Sequence, residues 1–386
     1  MIYIHVPFCH RKCTYCAFFS MAVTHSSTTA TRRSPSPNLG EEQMARYVDE
    51  LIEEMERRKD EQPHPIKTVY FGGGTPSILP MEQLARIVEG LHRWFNLSQV
   101  EEMTLEANPE DLTPEYLADL RRLGFNRLSI GVQSLDDQVL RMLNRRHTAR
   151  QALEAVENAH KAGFENISVD FIYGIRDLKD LKDFKDLKDF IDFIDLVTHV
   201  SAYSLTVEPG TALAVQVEQG RVVLPGEGEV VRQYHAMHRQ LSEAGFCQYE
   251  VSNYARPGYE SKHNSRYWDR TPYLGLGPGA HSFLIFDGGS TSVARVEKRR
   301  WNNPDGTVGE EQLTDTDAYN ELMMTSLRTV RGLPLSLVPE GQQERLHRGM
   351  QPYVDCGWIV REEDAYCPTA EGLLHADGMA AALFIG

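Results

Sequence analysis

Short runs of β-branched and aromatic residues alternate with amphipathic helical patterns through the first 210 residues, and this alternation restricts the fold more than any other feature. Strand-type runs fall at Ile2–Val6, Thr68–Phe71, Met103–Ala107, Arg127–Val132, Ile167–Tyr173 and Val200–Val207. Between them, Gln43–Arg58, Met81–Phe95, Pro114–Leu123, Asp136–Leu143 and Arg150–Ala162 place apolar residues at helical spacing. Strand, helix, strand repeated about six times implies a parallel sheet. Six units are fewer than the eight that close a barrel, so the expectation is an α/β fold, a partial (β/α)6 barrel. Its site should lie at the carboxyl ends of the strands.

The rest of the chain divides by composition. Residues Met21–Gly40 carry SSTTATRRSPSPNLG and read as a mobile insertion without chemistry of their own. Asp177–Phe190 reads DLKDLKDFKDLKDF, with apolar residues every third position, so on an α-helix the stripe spirals around rather than building one core face. A solvated charged-repeat helix over 177–194 is expected there. Pro and Gly signals between Pro209 and Gly228 mark the end of the barrel near residue 210. Residues 211–310 then form a linker and extension. Residues 311–386 form a C-terminal α+β accessory region, with helical Thr316–Thr329, a hairpin around Trp358–Tyr366 and helical Ala370–Leu383, an order compatible with a winged-helix-like end. That end carries 12 acidic and 5 basic residues, a net of −7, which speaks against DNA binding. The whole chain of 386 residues has a formal net charge of −15, which argues against sequence-independent nucleic-acid binding. No window approaches the roughly 18 apolar residues of a spanning helix. Met1–Phe8 is too short for a signal peptide, and the expected location is cytoplasmic.

Chemistry concentrates in the loop after the first strand, Cys9-His10-Arg11-Lys12-Cys13-Thr14-Tyr15-Cys16. Three thiolates are one too few for a closed metal site, whereas a cubane cluster held by three cysteines keeps one iron open to a small molecule. A zinc site completed by His5 or His10 is the alternative. A disulfide framework is disfavoured by the odd number. The second strand ends in Tyr70-Phe71-Gly72-Gly73-Gly74-Thr75-Pro76, where consecutive glycines suit close approach to a polar ligand. Glu106 and Gln133 close the third and fourth strands, Arg145 follows the fourth as a cation able to hold a carboxylate bidentately, and the fifth strand carries Asp170. Cys247, Cys356 and Cys367 match no ligand spacing and read as buried free thiols.

These motifs in order resemble the radical S-adenosylmethionine superfamily, within it the oxygen-independent coproporphyrinogen III oxidase family and its heme chaperone branch. The resemblance rests on IHVPFCHRKCTYCAF, YFGGGTPS, LEANPE, RLSIGVQSLDDQVLRMLNRRH, SVDFIYG, AYSLTVEPGT, YEVSNYARPGYESKHNSRYW and YLGLGPGAHS, and covers nearly the whole chain. It implies a radical SAM barrel with a [4Fe-4S] cluster on Cys9, Cys13 and Cys16, whose open iron chelates S-adenosylmethionine. Tyr3 and Tyr15 would line that cofactor, Gly73, Gly74 and Thr75 would contact its methionine part, and Glu106 would lie beside it. Gln133, Arg145 and Asp170 match positions that hold a second S-adenosylmethionine in the oxidase. The chemistry implied is electron transfer into the sulfonium to give a 5′-deoxyadenosyl radical.

Three departures bear on the branch. The oxidase has a further cysteine two residues after the third ligand, where this chain has Phe18, and a long amino-terminal segment that this sequence lacks ahead of its first strand. Both favour the chaperone branch, which also carries HNxxYW, here His263-Asn264-Ser265-Arg266-Tyr267-Trp268, associated with heme. An imidazole is a competent axial ligand, so His263 is the candidate heme ligand, with Tyr267 and Trp268 stacking on the porphyrin. Third, Tyr173-Gly174-Ile175 runs into Arg176-Asp177 instead of the family's Pro-Gly, a departure expected to reshape one cofactor wall. The reading is a heme chaperone passing heme to acceptor hemoproteins, with a flavodoxin or ferredoxin as electron donor if radical chemistry is used. A coproporphyrinogen III oxidase is the first alternative, not expected because of Phe18, and a radical SAM methylase the second.

Overall fold

The computed structural model describes residues 1–23, 39–61, 65–176, 193–287 and 295–386. Its centre is a nine-stranded sheet. Six strands are those expected: β1 (Ile2–Val6), β4 (Thr68–Gly73), β5 (Glu102–Ala107), β6 (Arg127–Gln133), β7 (Asn166–Tyr173) and β8 (His199–Ser204). They pair in parallel in that order. The cysteine loop is framed by two-residue strands β2 (Phe8–Cys9) and β3 (Met21–Ala22), which pair with each other. The start of the expected insertion is therefore tied to the cysteine loop, and residues 24–38 lie outside the described residues, as do 177–192 of the charged repeat. Helices α1 (Leu39–Arg58), α2 (Met81–Trp94), α3 (Pro114–Arg122), α4 (Asp137–Met142) and α5 (Ala149–Lys161) fall between the strands. Each buries one stripe. In α2 that stripe is Leu84, Ile87, Val88 and Leu91, at helical spacing.

Residues 211–310 do more than link. After α6 (Ala212–Glu218) and α7 (Glu227–Glu243), β9 (Cys247–Gln248) and β10 (Asn253–Ala255) extend the sheet antiparallel beyond β8. Next comes α8 (Lys262–Trp268), and β11 (Leu274–Leu276) then adds to the opposite edge, parallel to β1. A separate three-stranded sheet is formed by β12 (His281–Asp287), β13 (Arg295–Asn302) and β14 (Val308–Gln312). The strand expected to reach Val207 stops at Ser204, where the Pro209-Gly210 turn approaches.

The register divides the two faces of the main sheet. Ile4, Phe71, Leu105, Leu128 and Ile167 are cross-strand partners in one row and all are buried under the helices. The neighbouring rows, Tyr3–Tyr70–Thr104–Arg127 and Glu106–Ser129–Ser168–His199, face the concave side. A strand turns successive side chains to opposite faces, so a polar row beside an apolar row means a polar lumen. That lumen is buried, and some of its groups bond one another: Ser168 Oγ lies 2.7 Å from His199 Nδ1, and Ser129 Oγ donates to Asp170 at 3.3 Å, while Thr104 Oγ1 and Arg127 Nε and Nη1 are buried without a partner among the described residues.

The chain ends in a second core. Helix α9 (Asp315–Ser326), β15 (Leu333–Pro334), α10 (Glu340–Asp355), β16 (Ile359–Arg361), β17 (Ala365–Pro368), α11 (Ala370–Leu374) and α12 (Ala376–Leu383) surround Met323, Leu346, Met350, Ile359 and Met379. The three strands form one sheet in the order β15-β17-β16. The hairpin and the last helices stand where the sequence places them, while α10 and β15 were not expected. Backbone bonds from Val251 to Arg328 and from Val330 to Tyr249 attach this unit to the barrel. Among the described residues no helix is long and apolar enough to cross a membrane.

Candidate functional site at the carboxyl rim

Tight turns and helix termini hold the cysteine loop in place. Thr14 N donates to Leu143 O at the end of α4, Thr14 Oγ1 donates to Met142 O, and Leu213 N at the start of α6 donates back to Thr14 O. Asn144, with a left-handed φ of 60°, reaches Lys12 O through its Nδ2 at 2.8 Å. The loop is thus fixed on two helices while Cys9, Cys13 and Cys16 face one cavity of about 560 Å³. Tyr15, Gly73, Gly74, Thr75, Glu106, Gln133, Arg145 and Asp170 line the same cavity, together with Phe18. Of the expected cofactor-contacting residues, all but Tyr3 meet there.

Tyr3 sits one layer away. Its ring stacks on Tyr70 and its hydroxyl bonds His5 Nδ1 at 3.1 Å, so it supports the floor without lining the cavity. Gly73 N donates to Glu106 Oε2 at 3.1 Å and Gly74 N to Val6 O at 2.8 Å, so both N–H groups are used within the chain. Their role is close approach: a Cβ on Gly74 would stand 2.6 Å from Phe8 O, and one on Gly73, whose φ is 111°, would strike the His5 ring.

Electrostatics on the rim are set by burial. Glu106 is pushed up to about 7, chiefly by burial and further by Asp170, against the opposing bond from Tyr70 Oη at 2.8 Å. Burial likewise raises Asp170 and, more mildly opposed by Thr75, the Cys9 thiol. Two donors reach the sulfurs: Thr75 Oγ1 lies 3.4 Å from Cys9 Sγ and Arg145 Nη1 lies 3.4 Å from Cys13 Sγ. Gln133 ends β6 with a φ of 65° beyond a shift in register with β7. The turn at Gly174 is held without the family's Pro-Gly. Gln233 of α7 accepts from Gly174 N and Ile175 N and donates to Ile175 O, clamping that turn.

The donor set fits an iron–sulfur cluster better than mononuclear zinc. Soft thiolates around a roomy cavity suit a cubane, while among the described residues no three Cys, His, Asp or Glu side chains converge on one ion. His5 is no fourth zinc ligand, because Nε2 bonds Phe19 O and Nδ1 bonds Tyr3. His10 stands against Asp111.

The HNxxYW segment lies at the opposite end of the barrel. It forms α8, whose first N–H groups, from Lys262 and His263, donate to the Glu102 carboxylate at the start of β5. His263 is fully buried, with Nδ1 2.8 Å from Thr68 Oγ1 at the start of β4 and Nε2 3.0 Å from Tyr267 Oη. Its ring packs on Tyr70 and burial holds its pKa well below the ordinary histidine value. The expected heme ligation by His263 is therefore corrected: both ring nitrogens are engaged and no face of the ring is open. Tyr267 packs in a T-shape against Tyr273 and Trp268 lies under Arg328, and both rings are half-buried. The segment plugs the lumen. The expectation of buried thiols also fails for Cys247 and Cys356, which are exposed, and for Cys367, which is half-buried.

A half-open parallel β/α sheet with a cysteine loop and a cavity at its carboxyl rim defines a radical SAM protein. The Radical SAM superfamily model matches residues 3–191, and the HemN C-terminal domain model matches residues 313–375. The heme chaperone HemW of Mycobacterium tuberculosis is 34% identical over 388 residues, covering 98% of this chain and 93% of that protein. The heme chaperone HemW of Bacillus subtilis is 35% identical over 389 residues, covering 96% of each. The solved structure of coproporphyrinogen III oxidase (HemN) from Escherichia coli superposes with a TM-score of 0.76 at 21% identity, covering 99% of this chain and 89% of that one. This chain belongs to the HemW family of the radical SAM superfamily.

Proposed function

We propose that this protein is a heme chaperone whose barrel carries a [4Fe-4S] cluster on Cys9, Cys13 and Cys16, with S-adenosylmethionine beside it. The observation that carries the reading is the meeting of three thiols on one cavity with Phe18, 69% exposed, where a further cysteine would be needed for the oxidase. Such a cluster supplies a low-potential electron and an open coordination position. The chain's own residues would do the rest. The Glu106 carboxylate can accept from the amino group of the cofactor, and the Gly73-Gly74 turn lets its methionine part lie against the backbone. Tyr15 and Asp170 wall the pocket. Heme would bind outside the plugged end of the barrel and pass to acceptor hemoproteins in a reducing cytoplasm, which suits a protein with six free thiols among the described residues.

The test is anaerobic reconstitution followed by heme titration and a coproporphyrinogen assay on the same batch. Iron and sulfide near four per chain in wild type and a loss in Cys13→Ser support the cluster, by the stoichiometry of a cubane. Saturable heme binding without vinyl product supports the chaperone. Vinyl product makes the protein an oxidase, and a colourless zinc-loaded protein refutes the cluster.

A further inference from the structure

A second cavity, of about 590 Å³, backs onto the cysteine loop. Its size falls within the range of small-ligand pockets, about 300–1,000 Å³. It is bounded by α1, by the Gly277-Pro278 turn after β11 and by the turn between β13 and β14. The segment after Cys16 separates it from the rim cavity by alternation: Phe18 and Ser20 line the rim cavity, whereas Phe19 and Met21 line the second. Its floor is fixed from below. Glu54 accepts from Gly277 N at 2.9 Å and from Asn302 Nδ2 at 2.8 Å, and the buried Arg58 donates to Gly275 O at 2.7 Å. Gly277, at a φ of 91°, passes so close to β1 that a Cβ would stand 2.6 Å from His5 O.

Two chemistries meet on the walls of this groove. Phe19, Met21, Pro278 and Val308 are apolar, and Met21 and Val308 are 46% and 48% exposed. Four arginines, Arg46, Arg57, Arg58 and Arg300, stand against three carboxylates, Glu50, Glu54 and Asp305, an excess of one positive charge on a chain of net −15. Each of those carboxylates already has a donor within the chain: Arg46 for Glu50, Arg58 for Glu54 and Thr307 for Asp305. Arg46 and Arg57 are exposed, where ion pairs contribute little, so their guanidinium groups can turn to an incoming anion at small cost.

We propose that heme binds in this groove, with the Met21 thioether on its iron and Arg46 and Arg57 on its propionates. The inference rests on the heme chaperone reading and adds a place to it. A flat apolar macrocycle with two carboxylates on one edge matches apolar walls with cations at the solvent side, and arginine pairs with carboxylates bidentately. Among the described residues that line the groove there is no histidine or cysteine, and the thioether of Met21 is the side chain there suited to a heme iron. A neutral sulfur ligand on an exposed strand leaves heme free to pass to an acceptor that offers an imidazole.

The test is a Soret titration of the anaerobically reconstituted holoprotein with ferrous heme and, separately, with its dimethyl ester, which keeps the macrocycle and lacks the two charges. The double variant Arg46→Glu/Arg57→Glu should bind heme about tenfold more weakly, two exposed attractions having become repulsions, and should bind the ester within about twofold of wild type. Met21→Leu keeps the bulk and removes the sulfur, so the bound heme should lose the wild-type Soret maximum, and Met21→His should restore a protein-ligated spectrum. All three substituted side chains are exposed, so the variants keep the fold. Wild-type heme affinity in the double variant overturns the inference, as does an equal loss for heme and ester, or a wild-type Soret maximum in Met21→Leu. Wild type that binds no heme refutes the functional reading itself, which separates the two failures.

Discussion

Replacing His263 with alanine should cost stability and leave heme binding intact. The ring bridges Thr68 Oγ1 and Tyr267 Oη, two hydroxyls from different elements, and packs on Tyr70 with centroids 5.0 Å apart. Losing a partner leaves a buried hydroxyl that costs about 1–3 kcal/mol, and we take about 1 for each because water can enter the vacated space. The lost ring packing adds about 1–2 kcal/mol. The total is about 3–4 kcal/mol, which at about 2.1 cal/mol/K of unfolding entropy per residue over 386 residues converts to a fall of roughly 4–5 °C in Tm. Thermal unfolding followed by circular dichroism reads this directly. Asparagine at the same position keeps one polar contact and should recover part of the loss. Parallel heme titrations should give Soret curves within about twofold of wild type, the scatter expected of a site the substitution does not touch. A variant as stable as wild type that has lost its Soret shift would refute the reasoning, since it would mean that α8 presents His263 outward.

Three further outcomes follow from the rim. Glu106 has a folded-state pKa raised to about 7, mainly by burial, above an unfolded value near about 4.3. Its contribution is therefore full below about pH 4.3 and is lost as the pH rises to about 7, on the order of 3 kcal/mol in all. Urea midpoints of wild type and Glu106→Gln should accordingly converge or cross between pH 5 and 8, and parallel pH curves would contradict this. Gly74→Ala drives a Cβ to 2.6 Å from Phe8 O, so about 1–3 kcal/mol of overpacking should appear with a lowered iron content on reconstitution; normal iron loading would count against the close approach. Gln233→Ala removes the three bonds that clamp Gly174 and Ile175, and should cost about 2 kcal/mol and weaken S-adenosylmethionine binding by calorimetry. Unchanged affinity would detach that wall from the cofactor.

Much of the barrel was legible because its signals are periodic. The six strands and five helices fall within a few residues of the patterns in the sequence, and α5 starts at a Thr148–Gln151 capping box. The added strands β9, β10 and β11 have two or three residues each, too few for any alternation to register. Helix α10 escaped notice for a different reason: only Leu346 and Met350 are buried along its 16 residues, and Pro352 lies inside it. At the site, spacing was enough to bring the cysteine, glycine and strand-end residues to one cavity. It could not tell which way an aromatic faces. Tyr3 and His263 belong to motifs beside chemistry, but alternation along β1 turns Tyr3 into the lumen, and the Glu102 carboxylate captures the start of α8 and seats His263 there. An alternating polar register, as in Tyr70, Gly72 and Thr104, Glu106, was the available signal for a polar lumen.

The pairing of β1 with β11 has a consequence for synthesis. The first strand to leave the ribosome finds its edge partner, Leu274–Leu276, only after some 270 further residues, and so spends roughly 15–55 s with one side unpaired at ordinary elongation rates. The cysteine loop follows that open strand immediately. A nascent chain arrested before residue 270 should therefore keep its first twenty residues open to protease and to thiol reagents, and protection at that length would show that the edge is guarded by other means. On this view the last strand of the sheet acts as a latch: until it arrives, the three thiols are at their most accessible to an iron–sulfur donor.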